Sequence, residues 1–493
     1  MGLLQQLLRT KGIEKDDPGH GSGGLDRSLG LFSLAMMGVG ATIGTGIFFV
    51  MAEAVPKAGP AVMLAFILAG ITAGLTALCY AELSSSIPAS GSSYSYTYVA
   101  LGELVAYIVA ACLMLEYALA ASATSIGWSG YLNNFLSNAF GVSIPEALRS
   151  PMLVSGPQGL EIHAGHINLP PIILVVLCCF LLLRGTKESA TANAVMVITK
   201  LAVLLFFCVV AYSGFNSANF TPFFNDSGWH GVTAAAGTVF FSFVGLDTVA
   251  TAGGEVKNPR RNVPLGILLS LVVVTIGYLA VAFTALGAQP AAQFKDQEAG
   301  LSVILQQVTG TTWPSIVLAA GAVISVFSVT LVTIYGQTRI LFAVSRDGLI
   351  PQTFQQVSHR TLAPVNNTVI VCILVGLVGG FVDSSYLWDM VSMGTLVAFI
   401  AVSASVPVLR AKGLDDPQGN FRVPFGPYLI PGLSIAACLY IIRDLSATTF
   451  TVFFIWIAVA LVGYFAYGIR HSKLRGQEAP QAEGRSNLRG GRP

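Results

Sequence analysis

The sequence predicts an all-α polytopic membrane protein of twelve transmembrane helices: two inverted sets of five, followed by two more at the C-terminal end. Three observations carry this. Hydrophobic residues make up 54% of the 493 residues and charged residues only 10%, with a mean hydropathy of +0.71; an ordinary soluble domain carries roughly 25% charged residues. Apolar runs of about 20 residues, the length that crosses a bilayer, recur along the whole chain. The first run of each set of five is interrupted by glycine. Such a composition excludes a soluble enzyme, a disordered chain and a nucleic-acid binder.

Apolar runs read against breakers place the spans at 29–53, 60–86, 104–133, 169–184, 190–214, 231–253, 264–288, 313–343, 363–381, 387–409, 428–442 and 449–470. Residues 1–28 form a polar, Gly-rich tail without the apolar stretch of a signal peptide. Residues 29–214 are the first repeat, 231–410 the second, and 427–470 hold the last two spans. Residues 471–493, rich in Gly, Pro and charge, read as a disordered tail. Both tails are expected to be solvated, and so is the 134–168 loop, where His163 and His166 read as part of a polar loop rather than a metal site. With both termini inside, 21 of the 26 Lys and Arg residues fall on the inner side and four outside, with Lys200 within span five. This is the bias that positive-inside topology demands. The seven cysteines all lie in apolar stretches without CxxC pairing, so they read as small buried hydrophobes.

Span one contains Gly38-Val39-Gly40-Ala41-Thr42-Ile43-Gly44-Thr45-Gly46-Ile47-Phe48. Each glycine weakens a helix by about 1 kcal/mol relative to alanine. Two readings are open: close helix packing through small residues, or a broken helix whose freed backbone faces a cavity. A dinucleotide fingerprint is excluded by the spacing and by the lack of a preceding strand. Span six, first of the second set, is also interrupted, in Phe241-Ser242-Phe243-Val244-Gly245-Leu246-Asp247. Matching breaks in two sets of opposite topology point to a site at the repeat interface. Free amides at Gly44-Thr45-Gly46 suit a carboxylate, and carbonyls from Phe241 to Val244 suit an ammonium. A ligand carrying both groups is an α-amino acid.

Ionisable residues within apolar spans are functional candidates by default. Glu82 and Glu103, near span ends, read as solvated gate residues. Asp247 either caps the second half of span six or serves the site. Glu116, deep in span three and followed by small residues, reads as a pocket or proton-site residue, with a paired structural carboxylate as the alternative. Lys200 lies about ten residues into span five among apolar neighbours. An ammonium cut off from water is a candidate to release and regain a proton; the alternative is a fixed structural ammonium. No histidine lies mid-span, so Ser129 of Gly127-Trp128-Ser129-Gly130, which matches a GxSG protease pattern, has no base. A membrane enzyme is therefore excluded, and no ring of filter residues suggests a channel.

Gly40 to Phe48 resembles the first-helix signature of amino acid permeases of the amino acid–polyamine–organocation superfamily. Further stretches are similar to its cationic amino acid transporter branch: Tyr80-Ala81-Glu82-Leu83 with Ile87-Pro88-Ala89-Ser90-Gly91, Leu115-Glu116-Tyr117, Phe243 to Asp247 with Glu255-Val256-Lys257-Asn258-Pro259, Gly336-Gln337-Thr338-Arg339 with Ser345 to Pro351, and Phe421-Arg422-Val423-Pro424. The resemblance covers residues 30–425 in order. It implies a leucine-transporter-type fold and alternating access. It also implies carboxylate binding by the amides of Ile43 to Gly46, and amino-group contacts from the carbonyls of Phe241, Ser242 and Val244. Lys200 falls where proton-coupled relatives carry a lysine in place of a second sodium site. Glu116 falls at a pocket-facing position, and Asn193 and Asp247 are supporting positions. One departure stands in the loop after span six: Gly254 replaces the first of two acidic residues, which bears on inner gating rather than on substrate choice.

Together these readings give a secondary active transporter in the plasma membrane, with both termini cytoplasmic. It would carry L-amino acids with protons, cationic ones favoured through Glu116 and small neutral ones such as alanine as the alternative. Phe243 is the expected aromatic lid. An exchanger of amino acids or polyamines without net proton flux, and a non-transporting amino acid sensor, are the rival readings. No cofactor or metal is expected. The partners are the substrate, protons and the lipid bilayer, with an accessory protein or a second copy left open.

Overall fold

The computed structural model describes residues 6–12, 29–87, 91–156, 159–184, 186–253, 256–295, 297, 299–358, 364–383, 387–414 and 421–477. The Gly254–Glu255 departure, residues 88–90 of the span-two motif, and tail residues 13–28 and 478–493 lie outside them.

The protein is an all-α polytopic membrane protein. Span one is two helices, α1 (Leu31–Thr42) and α2 (Thr45–Ala58), and span two is α3 (Val62–Ser86). The turn between α2 and α3 needs Gly59, whose φ of +63° lies in the left-handed region. There follow α4 (Ser92–Ala100), α5 (Glu103–Phe140), the hairpin β1 (Leu153–Gly156) and β2 (Gly159–Ile162), α6 (Leu169–Arg184) and α7 (Thr186–Tyr212). The second half holds α8 (Gly228–Phe240), the short α9 (Thr248–Thr251), α10 (Pro259–Ala288), α11 (Gly300–Thr309), α12 (Trp313–Arg346), α13 (Val365–Phe381), α14 (Trp388–Ala411), α15 (Leu429–Ile442) and α16 (Ala447–Gly463). Among the described residues, eight continuous stretches are long and apolar enough to cross a membrane, the first of them running through both span one and span two. Leu169–Arg184, Val365–Phe381 and Leu429–Ile442 are shorter apolar helices.

Helices α5 and α12 pack along each other at the centre, and α3 lies along α10. The outer helices turn large apolar side chains outward, such as Val176 and Phe180 on α6, Leu205 and Val209 on α7, and Phe454, Ile455 and Val462 on α16. Exposed apolar surface on this scale is unfavourable in water and natural in lipid.

Span three is longer than its apolar run. α5 continues seven residues past 133 and stops at Gly141, whose φ of +69° lets its N–H return to the Ser137 carbonyl. Residues from Asn134 onward read as loop; they continue the helix, and Asn133 Oδ1 accepts the Ile144 N–H at 2.8 Å and fixes the chain leaving it. The 134–168 segment is likewise more than a polar loop. It carries the hairpin, and Leu153 pairs with Val382 at the end of α13.

Among the described residues, the expectation of solvated tails is corrected at Arg9 and Ser472, and that of solvated gate carboxylates at Glu82 and Glu103. Glu103 is fully buried. It accepts hydrogen bonds from Tyr98 (3.0 Å), Tyr464 (2.9 Å) and Ser472 (2.5 Å), with Arg9 Nη2 at 3.7 Å. Lys11 Nζ donates to Asp347 Oδ1 at 2.8 Å, and the Lys473 N–H donates to the Asp347 carbonyl. Residues near both ends of the described chain thus meet on one face. Glu82 is also buried, held by Arg410 through two contacts of 2.6 Å and by the Val423 N–H at 2.7 Å. These partners sit more than 300 residues away in sequence, where no local pattern reveals them.

Candidate functional site

Span one breaks where its glycines cluster. Ile43 leaves the helix at ψ 101°, Gly44 follows at φ −157°, ψ −136°, and α2 restarts at Thr45 without a side-chain cap. The first amides of α2 therefore have no partner within their helix. The side chain of Thr45 lies outside the described residues. Both readings of the glycines hold, at different positions. A Cβ on Gly38 would come within 2.6 Å of Ser270 and one on Gly40 within 2.9 Å of Val197, so these two serve close packing. A Cβ on Gly46 would lie 2.7 Å from the Cα of Ser242, so Gly46 lets the two breaks touch.

Span six breaks opposite. α8 ends at Phe240, Phe241–Phe243 form one tight turn, Val244 is extended at ψ 140°, and Gly245 has φ +102°. A side chain at Gly245 would be strained by its backbone and would press on Ala41 at 3.0 Å. Tyr278 of α10 joins the two breaks: its hydroxyl lies 2.7 Å from both the Thr42 and the Ser242 carbonyls and donates its proton between them. Sequence reasoning missed Tyr278; its one signal is a phenol within an otherwise apolar span.

Lys200 is fully buried on α7, and its Nζ donates to the Gly40 carbonyl at 2.9 Å and the Ile43 carbonyl at 2.6 Å. The last carbonyls of α1 have no helical partner, and the negative end of the helix dipole favours a cation there. Asn193, two turns earlier, lies against Gly40 and accepts from Ser328 at 2.6 Å. Asp247 makes no side-chain cap to α9; its Oδ2 accepts from Tyr117 at 2.7 Å.

Between the breaks lies a tight cavity. Its walls are Ala41, Thr42, Gly46, Tyr117, Ala120, Thr124, Phe241, Val244, Gly245, Thr248, Val329 and Thr333. Of the expected substrate residues, Gly46, Phe241 and Val244 reach it. Ile43 and Gly44 form the break beside it, and Ser242 is buried against Gly46. Phe243 points elsewhere, edge-on to Tyr278 at 5.4 Å; the aromatic at the cavity is Phe241, edge-on to Trp388 at 4.5 Å. Glu116 is not in the cavity wall and packs beside Gly394 of α14. The residues of α5 that do face the cavity, Tyr117, Ala120 and Thr124, are spaced i, i+3 and i+7, one helical face. Glu116 is about 100° round from Tyr117.

The sequence profile of the amino acid permease family matches residues 29–468. The chain belongs to that family. Among its relatives are the branched-chain amino acid permease BcaP of Bacillus subtilis, 42% identical over 472 residues covering 96% of this chain and 97% of the relative. The methylthioribose transporter of the same organism is 40% identical over 96% of this chain and 100% of its own length. Cationic amino acid transporter 3, mitochondrial, of Arabidopsis thaliana is 34% identical over 83% of this chain and 67% of the relative. The relatives are transporters and permeases, and the protein is a membrane-embedded amino acid permease rather than an enzyme.

Proposed function

We propose that the protein is a proton-coupled symporter of neutral aliphatic L-amino acids, working by alternating access in the plasma membrane. It has twelve spans in a five-plus-five inverted repeat with two further helices, and cytoplasmic termini, as the Lys and Arg bias favours. The observation that carries the substrate reading is the cavity wall: Ala41, Ala120, Val244, Val329 and Phe241 give it apolar surface, and among the described residues no carboxylate or basic side chain lines it. A lysine or arginine side chain bound there would be an unpaired cation, which costs several kcal/mol; about 3 kcal/mol is a hundredfold in affinity. With Glu116 turned to α14, the neutral alternative becomes the preferred one. The name of the Bacillus relative, a branched-chain permease at 42% identity, agrees with it.

The α-carboxylate is assigned to the free amides at the start of α2, from Thr45 onward, and the α-ammonium to the carbonyls around Phe241 and Val244. Lys200 is assigned proton coupling: its ammonium holds the end of α1 to α7, and loss of the proton loosens that hold as α1 moves. A second reading is kept for one observation. Five hydroxyl-bearing residues, Thr42, Tyr117, Thr124, Thr248 and Thr333, line the cavity, and another relative is a methylthioribose transporter. The free α2 amides favour a carboxylate over that uncharged thiosugar.

Counterflow in proteoliposomes tests the substrate class. Loading with unlabelled isoleucine should draw in labelled isoleucine. External valine or alanine should compete, while arginine at tenfold excess should not. Competition by methylthioribose alone would move the protein to the second reading. Uptake that requires internal substrate and ignores pH would make it an exchanger, and binding without flux a sensor.

A further inference from the structure

All seven cysteines read as small buried hydrophobes, yet Cys179 on α6 and Cys372 on α13 meet: their thiols are hydrogen-bonded to each other. The helices bring them together in a regular way. α6 and α13 pack against each other, and α13 carries Gly376 and Gly380, a spacing of small residues that lets helix backbones approach in a membrane. A Cβ on Gly380 would lie 2.7 Å from Ile172, and one on Gly376 would lie 4.0 Å from Val175. The pairs 380 with 172, 376 with 175 and 372 with 179 each advance by about one turn, in opposite directions on the two helices. The sulfur contact therefore continues an antiparallel seam. A disulfide forms without backbone movement only where the Cα atoms lie within about 7 Å, and the two glycines make this the close stretch of the helix pair.

Access to the two sulfurs differs. Cys179 is half-buried, whereas Cys372 and the neighbouring Cys178 are buried. Val176, Leu177 and Phe180 near Cys179, and Ile373 and Leu374 near Cys372, are exposed apolar side chains of the lipid-facing surface. A reagent thus reaches the pair through hydrocarbon rather than through water. Cys179 is the thiol open to it, and Cys372 stands behind as a resolving thiol, the arrangement that turns a first oxidation into a disulfide.

We propose that Cys179 and Cys372 form a redox site for organic hydroperoxides dissolved in the bilayer. The Cys179 sulfur attacks the terminal oxygen of the hydroperoxide and the O–O bond breaks. The thiol proton goes to the departing alkoxide, which leaves as an alcohol, and Cys179 becomes a sulfenic acid. The Cys372 sulfur then attacks the sulfenic sulfur, the S–S bond forms, and the sulfenic oxygen leaves as water with the Cys372 proton. Two thiols and one hydroperoxide give one disulfide, one alcohol and one water. The bond ties α6 to α13. α13 is itself tied to α5, where Ser122 Oγ donates to the Val375 carbonyl at 3.2 Å, so the link braces the α5 wall of the central cavity from behind.

Treatment of the full-length protein in nanodiscs with cumene hydroperoxide tests it, read by proteolysis and mass spectrometry. The wild type should yield a peptide pair linked through Cys179 and Cys372 that dithiothreitol separates. Cys178→Ala should keep the link. Cys372→Ala should lose it and hold the sulfenic acid at Cys179, so that dimedone labels Cys179 at least tenfold more than in the wild type. Cys179→Ala should give neither product. Free thiols at both positions in the treated wild type would overturn the site. So would a disulfide made through Cys178, or dimedone labelling of Cys179 that is no greater in Cys372→Ala than in the wild type.

Discussion

Replacing Lys200 by methionine keeps the volume of the side chain and removes every donor. The Nζ makes two hydrogen bonds, 2.9 Å to the Gly40 carbonyl and 2.6 Å to the Ile43 carbonyl. Hydrogen bonds from a charged donor contribute about 1.5–3 kcal/mol each. Together they hold the end of α1 to α7 by about 3–6 kcal/mol, before any allowance for the coupling between them. If the proton state of Lys200 sets that hold, Lys200→Met leaves α1 equally loose at every pH, and a gradient has nothing to act on. The assay is uptake of labelled isoleucine into liposomes with an inward proton gradient, beside counterflow at equal pH. The wild type should accumulate isoleucine above the external concentration. Lys200→Met should lose that accumulation at least tenfold while retaining counterflow within a few-fold. Gradient-driven accumulation equal to the wild type would refute the role given to this lysine.

Glu82→Ala removes the carboxylate of a buried pair from Arg410 and leaves the Val423 N–H unmet, so a loss of about 3–5 kcal/mol is expected, read as a lowered Tm in detergent. Gly245→Ala forces a side chain into a φ of +102° against Ala41; about 1–3 kcal/mol of strain should appear as weakened isoleucine binding in protein that still elutes as a monodisperse peak. Glu116→Gln should leave the ratio of isoleucine to arginine uptake within twofold of the wild type, because Glu116 is outside the cavity wall. A swing toward either substrate would return Glu116 to side-chain recognition.

The spans were legible because a bilayer imposes one requirement, sustained apolarity, which composition reports directly. Residues 169–184 coincide with α6 to the residue, and the break in span one lies where four glycines crowd nine positions. Facing directions were less legible. Phe243 was the expected lid, but the turn after Phe240 tightens, Val244 becomes extended, and Phe241 is the ring left at the cavity. That change of backbone has no signature beyond Gly245. Glu116 drew attention by its charge, whereas the i, i+3, i+7 spacing of Tyr117, Ala120 and Thr124 held the information on which face of α5 meets the cavity. The buried roles of Glu82 and Glu103 were out of reach, since Arg410 and Ser472 join them only when the chain has folded. The motif Phe421-Arg422-Val423-Pro424 gains its reason in the same way: the Phe421 carbonyl takes the Ser85 hydroxyl and the Val423 N–H meets Glu82.

Neutral-substrate symport is tested most directly by initial uptake of labelled isoleucine and labelled arginine into the same liposomes, with and without an inward proton gradient. Isoleucine uptake stimulated by the gradient, with arginine about a hundredfold slower at equal concentration, is the expected result. Gradient-stimulated arginine uptake matching or exceeding that of isoleucine would contradict it, and would mean that a carboxylate reaches the substrate side chain during transport.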